Sequence, residues 1–377
     1  MSRTIIDINI IQTLPPSNIN RDDTGSPKTA TFGGSRRARV SSQAWKRATR
    51  EAFSGFLSSD DLGTRTKRVV ELLAERIVEK NTEISVEAAQ KLAAQIFGAA
   101  GIKLSAARGA SKENPLPEES GYLLFLSSRQ IDRLADIAID AYGADDVTAA
   151  VKAAKPKSIL AETNSIDLAL FGRMVADVTD LNVDAAAQVA HAISVHPVEN
   201  EFDYFTAVDD HKSADNEEDA GAGMIGTVEF NSSTLYRYAT VDVDRLHDNL
   251  GDAQATRRAV EAFLQAFTRS VPSGKQNTFA NRTLPDALVI SVRDTQPVNL
   301  AGAFEEAILE TPRLRIASER LAAQFRQIDE TFGTTPVASW VVRVAASADD
   351  LDALGTSASL DGAVTAVGDL VQSRLGA

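Results

Sequence analysis

The chain has no cysteine, and its 377 residues include only four histidines, three methionines and two tryptophans. Without cysteine there is no disulfide, no thiolate metal site and no cysteine nucleophile. The histidines (His191, His196, His211 and His247) are scattered, and the closest pair is five residues apart rather than at the i, i+4 spacing of a helical metal site. Packing or surface roles are expected for them, and no metal or other cofactor is predicted. No window approaches 18 consecutive apolar residues, so no membrane-spanning helix and no membrane partner are expected. There is also no charged start followed by an apolar run and a small-residue cleavage site, which fits a cytoplasmic protein. P-loop, HExxH and GxSxG patterns are missing. The peptide Gly221–Gly226 (GAGMIG) spells GxGxxG, but an acidic run precedes it and Thr-Val-Glu-Phe follows. A dinucleotide site needs a buried strand before and a helix after, so a flexible hairpin tip is the better reading.

Positive charge is scarce overall and concentrated locally. Net charge is −13, with hydrophobic content of 44% and charged content of 24%, an ordinary balance for a globular protein with a sizeable core. Residues 21–50 (RDDTGSPKTATFGGSRRARVSSQAWKRATR) nevertheless carry eight basic and two acidic side chains. That local charge of +6 leaves −19 on the rest of the chain. A cationic segment in an acidic protein points to a focused polyanion site. The order matters: Gly33-Gly34, then Arg36, Arg37 and Arg39, then Ser41-Ser42 opening a basic helix. Gly33-Gly34 would let backbone N–H groups approach phosphate, the serine-capped helix start adds partial positive charge, and the arginines neutralise. On a helix capped by Ser41 or Ser42, Trp45, Ala48, Ala52 and Phe56 fall on one side. Gln43, Lys46, Arg47 and Arg50 fall near the other.

The flanking segments predict an α+β chain. Thr4–Leu14 alternates as a strand, with Ile6, Ile8 and Ile10 opposite Asp7 and Asn9, and Pro15-Pro16 ends it. A structureless polar loop is expected to about Val40. From about Asp60 to Ala187 the pattern is helical, without strand signals, through Arg68–Lys80, Val86–Phe97, Gln130–Tyr142 and Val147–Lys155, with a loop at Ser111–Ser120. Strands are expected at Ala190–His196, Ser233–Val243, Ala287–Val292 and Val337–Val344. Helices are expected at Ala253–Ser270, near Asn299–Leu309, at Ile316–Thr331 and at the end of the chain. Asp209–Gly226 suits a mobile hairpin tip. The order reads as βαββαβ with a helical insertion, the ferredoxin-like plan of RNA-recognition modules.

Three further features have a plain and a sharper reading. Asp22 and Asp23 could hold Mg²⁺ for phosphodiester cleavage, or pair with neighbouring arginines and shape the loop. Phe202, Tyr204 and Phe205, with Thr206, could be core residues or a wedge between bases. Lys275, after Pro272-Ser-Gly274, is a basic loop tip that could meet phosphate.

Taken together, Asn20–Arg50, Ala169–Met174 (ALFGRM), His191–Asp210 (HAISVHPVENEFDYFTAVDD), Phe230–Ala239 (FNSSTLYRYA) and Val271–Gln276 (VPSGKQ) resemble the CasC family. These are the backbone subunits of the type I-E CRISPR surveillance complex Cascade, within the RAMP superfamily. The resemblance implies a right-hand shape: a ferredoxin-like (RRM-like) palm over 1–58 and 233–377, helical fingers over 59–188, and a β-hairpin thumb over 189–232. It implies a non-catalytic subunit of an antiviral complex that targets double-stranded DNA. Partners would be CRISPR RNA (crRNA), the target DNA strand paired to it, further copies in a helical oligomer and other Cascade subunits. Arg21, Lys28, Ser41, Gln43, Lys46 and Arg50 would grip the RNA backbone. Met174, Tyr204, Phe205 and Thr206 would interrupt the base stack. Ser35 stands where the family often has a basic residue, and His211–Gly223 is long and acidic for a thumb tip. The alternative is a metal-dependent endoribonuclease of the same superfamily using Asp22 or Asp23.

Overall fold

Ile5–Ser17 form one long strand, β1, whose residues from Ile5 to Gln12 are all buried. In the computed structural model, which describes residues 3–111, 115–207, 224–344 and 346–376, this strand lies inside a mixed ten-stranded sheet. The chain continues through β2 (Thr29–Phe32), β3 (Ser35–Val40), α1 (Ser42–Ala52), β4 (Gly63–Thr66), α2 (Val69–Lys80) and α3 (Val86–Ala99). Next come β5 (Leu104–Ser105), β6 (Glu119–Ser120), β7 (Leu124–Ser127), α4 (Ser128–Tyr142), α5 (Val147–Ala153), α6 (Pro156–Ala161) and α7 (Ile166–Phe171). Then follow β8 (Ala187–Val189), β9 (Ala192–Ser194), β10 (Glu201–Ala207), β11 (Met224–Asp242), α8 (Val243–Leu250), α9 (Ala253–Arg269) and α10 (Gln276–Phe279). β12 (Ala287–Arg293), α11 (Arg313–Phe332), β13 (Ala338–Arg343), β14 (Thr356–Ser357) and α12 (Leu360–Leu375) complete it. No helix among the described residues is long and apolar enough to cross a membrane.

The chain divides into two compact units. The first comprises residues 1–52, 188–241 and 263–374 and holds the sheet, in the order β14-β13-β12-β1-β11-β9-β3-β2. β1 pairs antiparallel with β12 through Ile8↔Ile290 and Asn9↔Val289. With a strand on each side and covered faces, the polar residues of β1 need internal partners. Asp7 accepts from the Tyr238 hydroxyl at 2.7 Å, Arg293 Nε at 3.0 Å and the Val298 N–H at 3.0 Å. Burial pushes the Asp7 carboxyl up, against the pull of these donors. Asn9 Oδ1 accepts from the Tyr236 hydroxyl at 2.8 Å. One apolar cluster joins Ile11, Tyr236, Val289, Phe304, Leu321, Phe325 and Val341. Elsewhere in this unit Trp45 of α1 meets the edge of Phe267, and the Arg237 guanidinium lies 3.7 Å over the indole.

The second unit, residues 53–187, 242–262 and 375–377, is mostly helical. Its core joins Val70, Leu73 and Ile77 of α2, Leu92, Ile96 and Phe97 of α3, and Leu134 and Ala138 of α4. α4 starts at a capping box, Ser127 with Gln130.

Several expectations are corrected. β1 runs on through Pro15-Pro16 to Ser17 instead of stopping there. The supposed structureless loop contains the β2–β3 hairpin, turned at Gly33-Gly34. The helical block is interrupted by two short pairs, β4 with β7 and β5 with β6. Two- and four-residue strands carry too few alternating positions to register as a pattern. Near Asn299–Leu309 the described helix is a single 3₁₀ turn, Ala301–Phe304. On α1 the apolar stripe closes on Phe53, not Phe56: the helix ends at Ala52, and a 3₁₀ turn over Phe53–Gly55 buries Phe53 and leaves Phe56 exposed. The expected hairpin tip lies largely in 208–223, outside the described residues. Gly226 sits in strand β11, so no helix follows GAGMIG.

Candidate nucleic-acid interface

The basic segment folds as a hairpin running into a helix, and its cations meet different fates. In the hairpin Thr31 pairs with Arg36 and Phe32 with Ser35, so Gly33 and Gly34 make a two-residue turn with φ of +56° and +75°. Left-handed conformations at both turn positions favour glycine. A Cβ on Gly33 would also stand 1.6 Å from the Glu305 carbonyl oxygen, whereas Gly34 faces open space. Gly33 therefore seats the hairpin against its own unit.

Arg37 requires a correction. It was expected to face phosphate, yet it is fully buried. Its Nη1 donates to Ser194 O at 2.8 Å, Nη2 to Phe304 O at 2.9 Å and Glu305 O at 3.0 Å, and Nε to Ser35 Oγ at 2.8 Å. A guanidinium spent on three carbonyls and a hydroxyl has no accessible face for a ligand. Ser35 belongs to this internal network too. Arg36, one residue earlier, is exposed.

Arg39 is half-buried, donating from Nε to Thr29 O at 3.2 Å, with Nη1 3.2 Å from His191 Nδ1. Lys28 and Arg39 share the wall of a small surface cavity with Asn18, Asn20, Asn231 and Ser233. Asn20 fastens the floor to the helix start, its Oδ1 accepting from the Ser41 N–H at 2.8 Å. Ser41 itself is buried and caps α1, its Oγ accepting from the Ala44 N–H at 3.3 Å. Ser41 thus acts first as the cap that presents the helix start.

On α1 Gln43 is exposed, and Lys46 and Arg50 are half-buried. Burial lowers the Lys46 ammonium from its ordinary value. Arg47 bonds to Glu51 at 2.7 Å, an exposed i, i+4 pair. Arg21 is exposed at the start of the loop Arg21–Pro27, whose shape Asp22 sets. Asp22 Oδ1 accepts from the Thr24 N–H at 3.0 Å, Thr24 Oγ1 at 2.7 Å and the Ser26 N–H at 3.0 Å, and the Thr24 bond leads in drawing its pKa down. Asp22 shapes the loop through these neighbours rather than through arginines. Gly274 presses on Ile19, where a Cβ would meet the carbonyl oxygen at 2.4 Å. That approach brings the half-buried Lys275 beside the Arg21 loop, and an open cleft there is lined by Arg21, Asp22, Asp23 and Gly274.

The aromatic set is divided by strand alternation. Tyr204 pairs with Thr227 and Phe205 with Gly226 in the β10–β11 ladder. Phe202 and Tyr204 share one face and are about two-thirds exposed. Phe205, on the other face, lays its ring over Gly226, where a Cβ would stand 2.5 Å from it. Thr206 lies opposite Ile225. The ladder is tied to the loop through Glu229, which accepts from Ser26 Oγ at 2.7 Å and Asn200 Nδ2 at 3.0 Å.

In the second unit ALFGRM has its own logic. Gly172, at φ +79°, comes so close to Val183 that a Cβ would be 2.8 Å from its carbonyl oxygen. Arg173 is buried, donating to Leu181 O at 2.7 Å, Phe125 O at 3.1 Å and Leu160 O at 2.5 Å, and burial pulls its pKa down to about 10. Held by this pair, Met174 projects 83% exposed. Asn18, Asn20, His191 and Glu229 were not singled out as site residues by sequence reasoning. Asn18 and Asn20, immediately before Arg21, carried the one available hint.

A family model described as "CT1975-like protein" matches residues 6–366. The chain belongs to the CT1975-like family, the CasC backbone family of type I-E. A solved chain of a "CRISPR RNA-guided surveillance complex, pre-nicking" shares 37% identity and a TM-score of 0.83, covering 98% of this chain and 99% of that one. A chain of a "CRISPR RNA-guided surveillance complex" shares 32% identity and a TM-score of 0.74, over 97% and 99%. No curated protein matches. Membership of the CT1975-like family therefore rests on nearly the whole chain, the sheet unit and the helical unit alike.

Proposed function

We infer that this chain is the backbone subunit of a CRISPR RNA-guided surveillance complex, and that it holds the guide without chemistry of its own. The observation that carries this reading is the full-length likeness to a surveillance-complex chain at 37% identity. The cations of Arg21–Arg50 agree with it, since Arg21 and Arg36 are exposed and Lys28, Arg39 and Lys46 are half-buried. In this reading the sheet unit is a ferredoxin-like palm that grips crRNA phosphates with Arg21, Lys28, Arg36, Arg39, Gln43, Lys46, Arg50 and Lys275. Ser41 orients the helix start. Residues 59–188 form the fingers, presenting Met174, and 189–232 the thumb, presenting Tyr204, Phe205 and Thr206 to an interrupted base stack. Copies stacked along the guide would join their cationic surfaces into one track, and the target DNA strand would pair with the exposed bases. Base pairing reads the sequence, so the protein needs charge and shape.

The direct test is charge reversal. Lys46→Glu with Arg50→Glu should weaken binding of unrelated single-stranded RNAs alike and flatten the slope of log affinity against log salt by about 1.4. An unchanged affinity and slope would sink the reading. The endoribonuclease alternative needs a free carboxylate at Asp22 or Asp23, whereas Asp22 Oδ1 already accepts three hydrogen bonds. RNA incubated with the protein and Mg²⁺ should stay intact, with no change in Asp22→Ala, Asp23→Ala.

A further inference from the structure

We propose that His191 is a phosphate-binding residue of this interface, completing with Lys28 and Arg39 a seat that takes up a proton as a phosphodiester enters. The proposal rests on the reading of the chain as a guide-RNA-binding subunit, and deepens it.

The placement is fixed by the sheet. β3 and β9 pair antiparallel through Arg39↔Ile193 and Val40↔Ala192, which carries His191 to the end of β3 where α1 begins. His191 is exposed, with Nδ1 3.2 Å from Arg39 Nη1. A guanidinium only donates, so Nδ1 accepts and the proton of the neutral ring sits on Nε2. That N–H has no protein partner among the described residues. It is a donor left over beside Arg39, which together with Lys28 lines the Asn18–Asn20 cavity.

The electrostatics make the seat sensitive to its occupant. Burial, then Arg39, then Lys28 hold the imidazole below its ordinary pKa, so the empty seat keeps the ring neutral. From β11 the neighbouring Ala190 N–H donates to Tyr238 O, while the Tyr238 hydroxyl is turned inward onto Asp7. Among the described residues the charges acting on the ring are those of Arg39 and Lys28. A phosphodiester, anionic throughout the physiological range, would cancel the repulsion from Arg39 and Lys28. The ring would then take a proton from solvent at Nδ1, which can no longer accept from Arg39. Both Arg39 Nη1 and the two ring N–H groups become donors to the anion. One proton enters, and no covalent bond changes.

The sign follows from linkage. Occupancy raises the His191 pKa, so the extra affinity is fully present below the empty-seat pKa. It is lost as pH rises through the occupied-seat value. The experiment measures binding of a fluorescein-labelled single-stranded RNA to the full chain by anisotropy, at fixed salt, at about pH 8 and about pH 5.8. The native chain should bind about five- to tenfold tighter at the lower pH. His191→Gln should show one affinity at both values, near the native level at high pH. His191→Lys should bind at the native low-pH level throughout. Equal melting temperatures establish that the variants are folded. Salt-dependent RNA binding with the same pH response in the native chain and His191→Gln overturns this inference alone. Failure of the native chain to bind RNA at either pH overturns the proposed function with it.

Discussion

Arg36 and Arg37 are chain neighbours on one strand, yet they belong to different regions of the sheet unit. Arg37 lies in its interior with Arg237 and Arg293, each fully buried and spent on carbonyls, carboxylates or aromatic faces. Arg36 lies on the rim, exposed, in an open cleft with Asn200, Phe202 and Glu229. The difference teaches that cationic residues close in sequence divide between holding a surface in shape and offering it to a ligand. Arg36 and Arg37 point to opposite faces of β3, and what covers each position makes that division: Arg39, two residues beyond Arg37, stays half-buried. The interior arginines are also what keeps the rim cations where they are: Arg37 clamps β3 to β9 and to the backbone at Phe304 and Glu305.

The sharpest way to break this comparison is to truncate each arginine in turn. Arg37→Ala leaves three carbonyls unpaired and should cost about 4 kcal/mol in urea unfolding. Arg36→Ala should stay within about 0.5 kcal/mol while weakening RNA binding. Equal losses of stability would erase the distinction. The hairpin turn offers the next largest contrast. Gly33→Ala forces a Cβ into the Glu305 carbonyl at a left-handed φ and should cost at least about 3 kcal/mol. Gly34→Ala meets open space and should cost about 1 kcal/mol, the conformational penalty alone.

A smaller effect separates the two histidines by pH. His196 is buried, its Nδ1 2.7 Å from Pro197 O and its Nε2 accepting from the Thr234 N–H at 3.1 Å. Burial is the main cause pulling its pKa down to about 4. For a base held neutral in the fold, the unfolded chain takes the proton first. Stability should therefore fall by about 2 kcal/mol as pH drops from its ordinary 6.5 towards about 4. His196→Asn should remove that slope, measured by chemical denaturation across the window, whereas His191→Gln should leave it in place. Smallest of all, Arg47→Ala breaks an exposed pair with Glu51 and should change stability by less than about 0.5 kcal/mol. It should also weaken RNA binding less than Lys46→Ala does, since Glu51 already neutralises it.

Much of the fold was legible where pattern was long. The helices around Leu73, Leu92 and Leu134 and the strands around Ile8 and Ile290 emerged within a few residues of their bounds. Short strands were not, because Leu104–Ser105 or Gly63–Thr66 have no periodicity to detect. Nor was Phe53 in place of Phe56, since one 3₁₀ turn rotates everything after Ala52. Of the basic stripe on α1, helical spacing placed Gln43 and Arg47 on the exposed side, whereas Lys46 and Arg50 are half-buried. The burial of Arg37 was invisible, because its partners Ser194, Phe304 and Glu305 are more than 150 residues away. His191 was invisible for the same reason, its neighbour Arg39 lying across a sheet.

By itself the sequence determined a cationic loop and helix in an acidic chain, the glycine turn within the loop and the family motifs spread along its length. These are local properties: spacing, propensity and charge act between near neighbours. Only the tertiary structure decided which cations are spent inside and which remain for a ligand. Burial and hydrogen-bond partnership are set by strands that meet across the sheet, not by residues that follow one another.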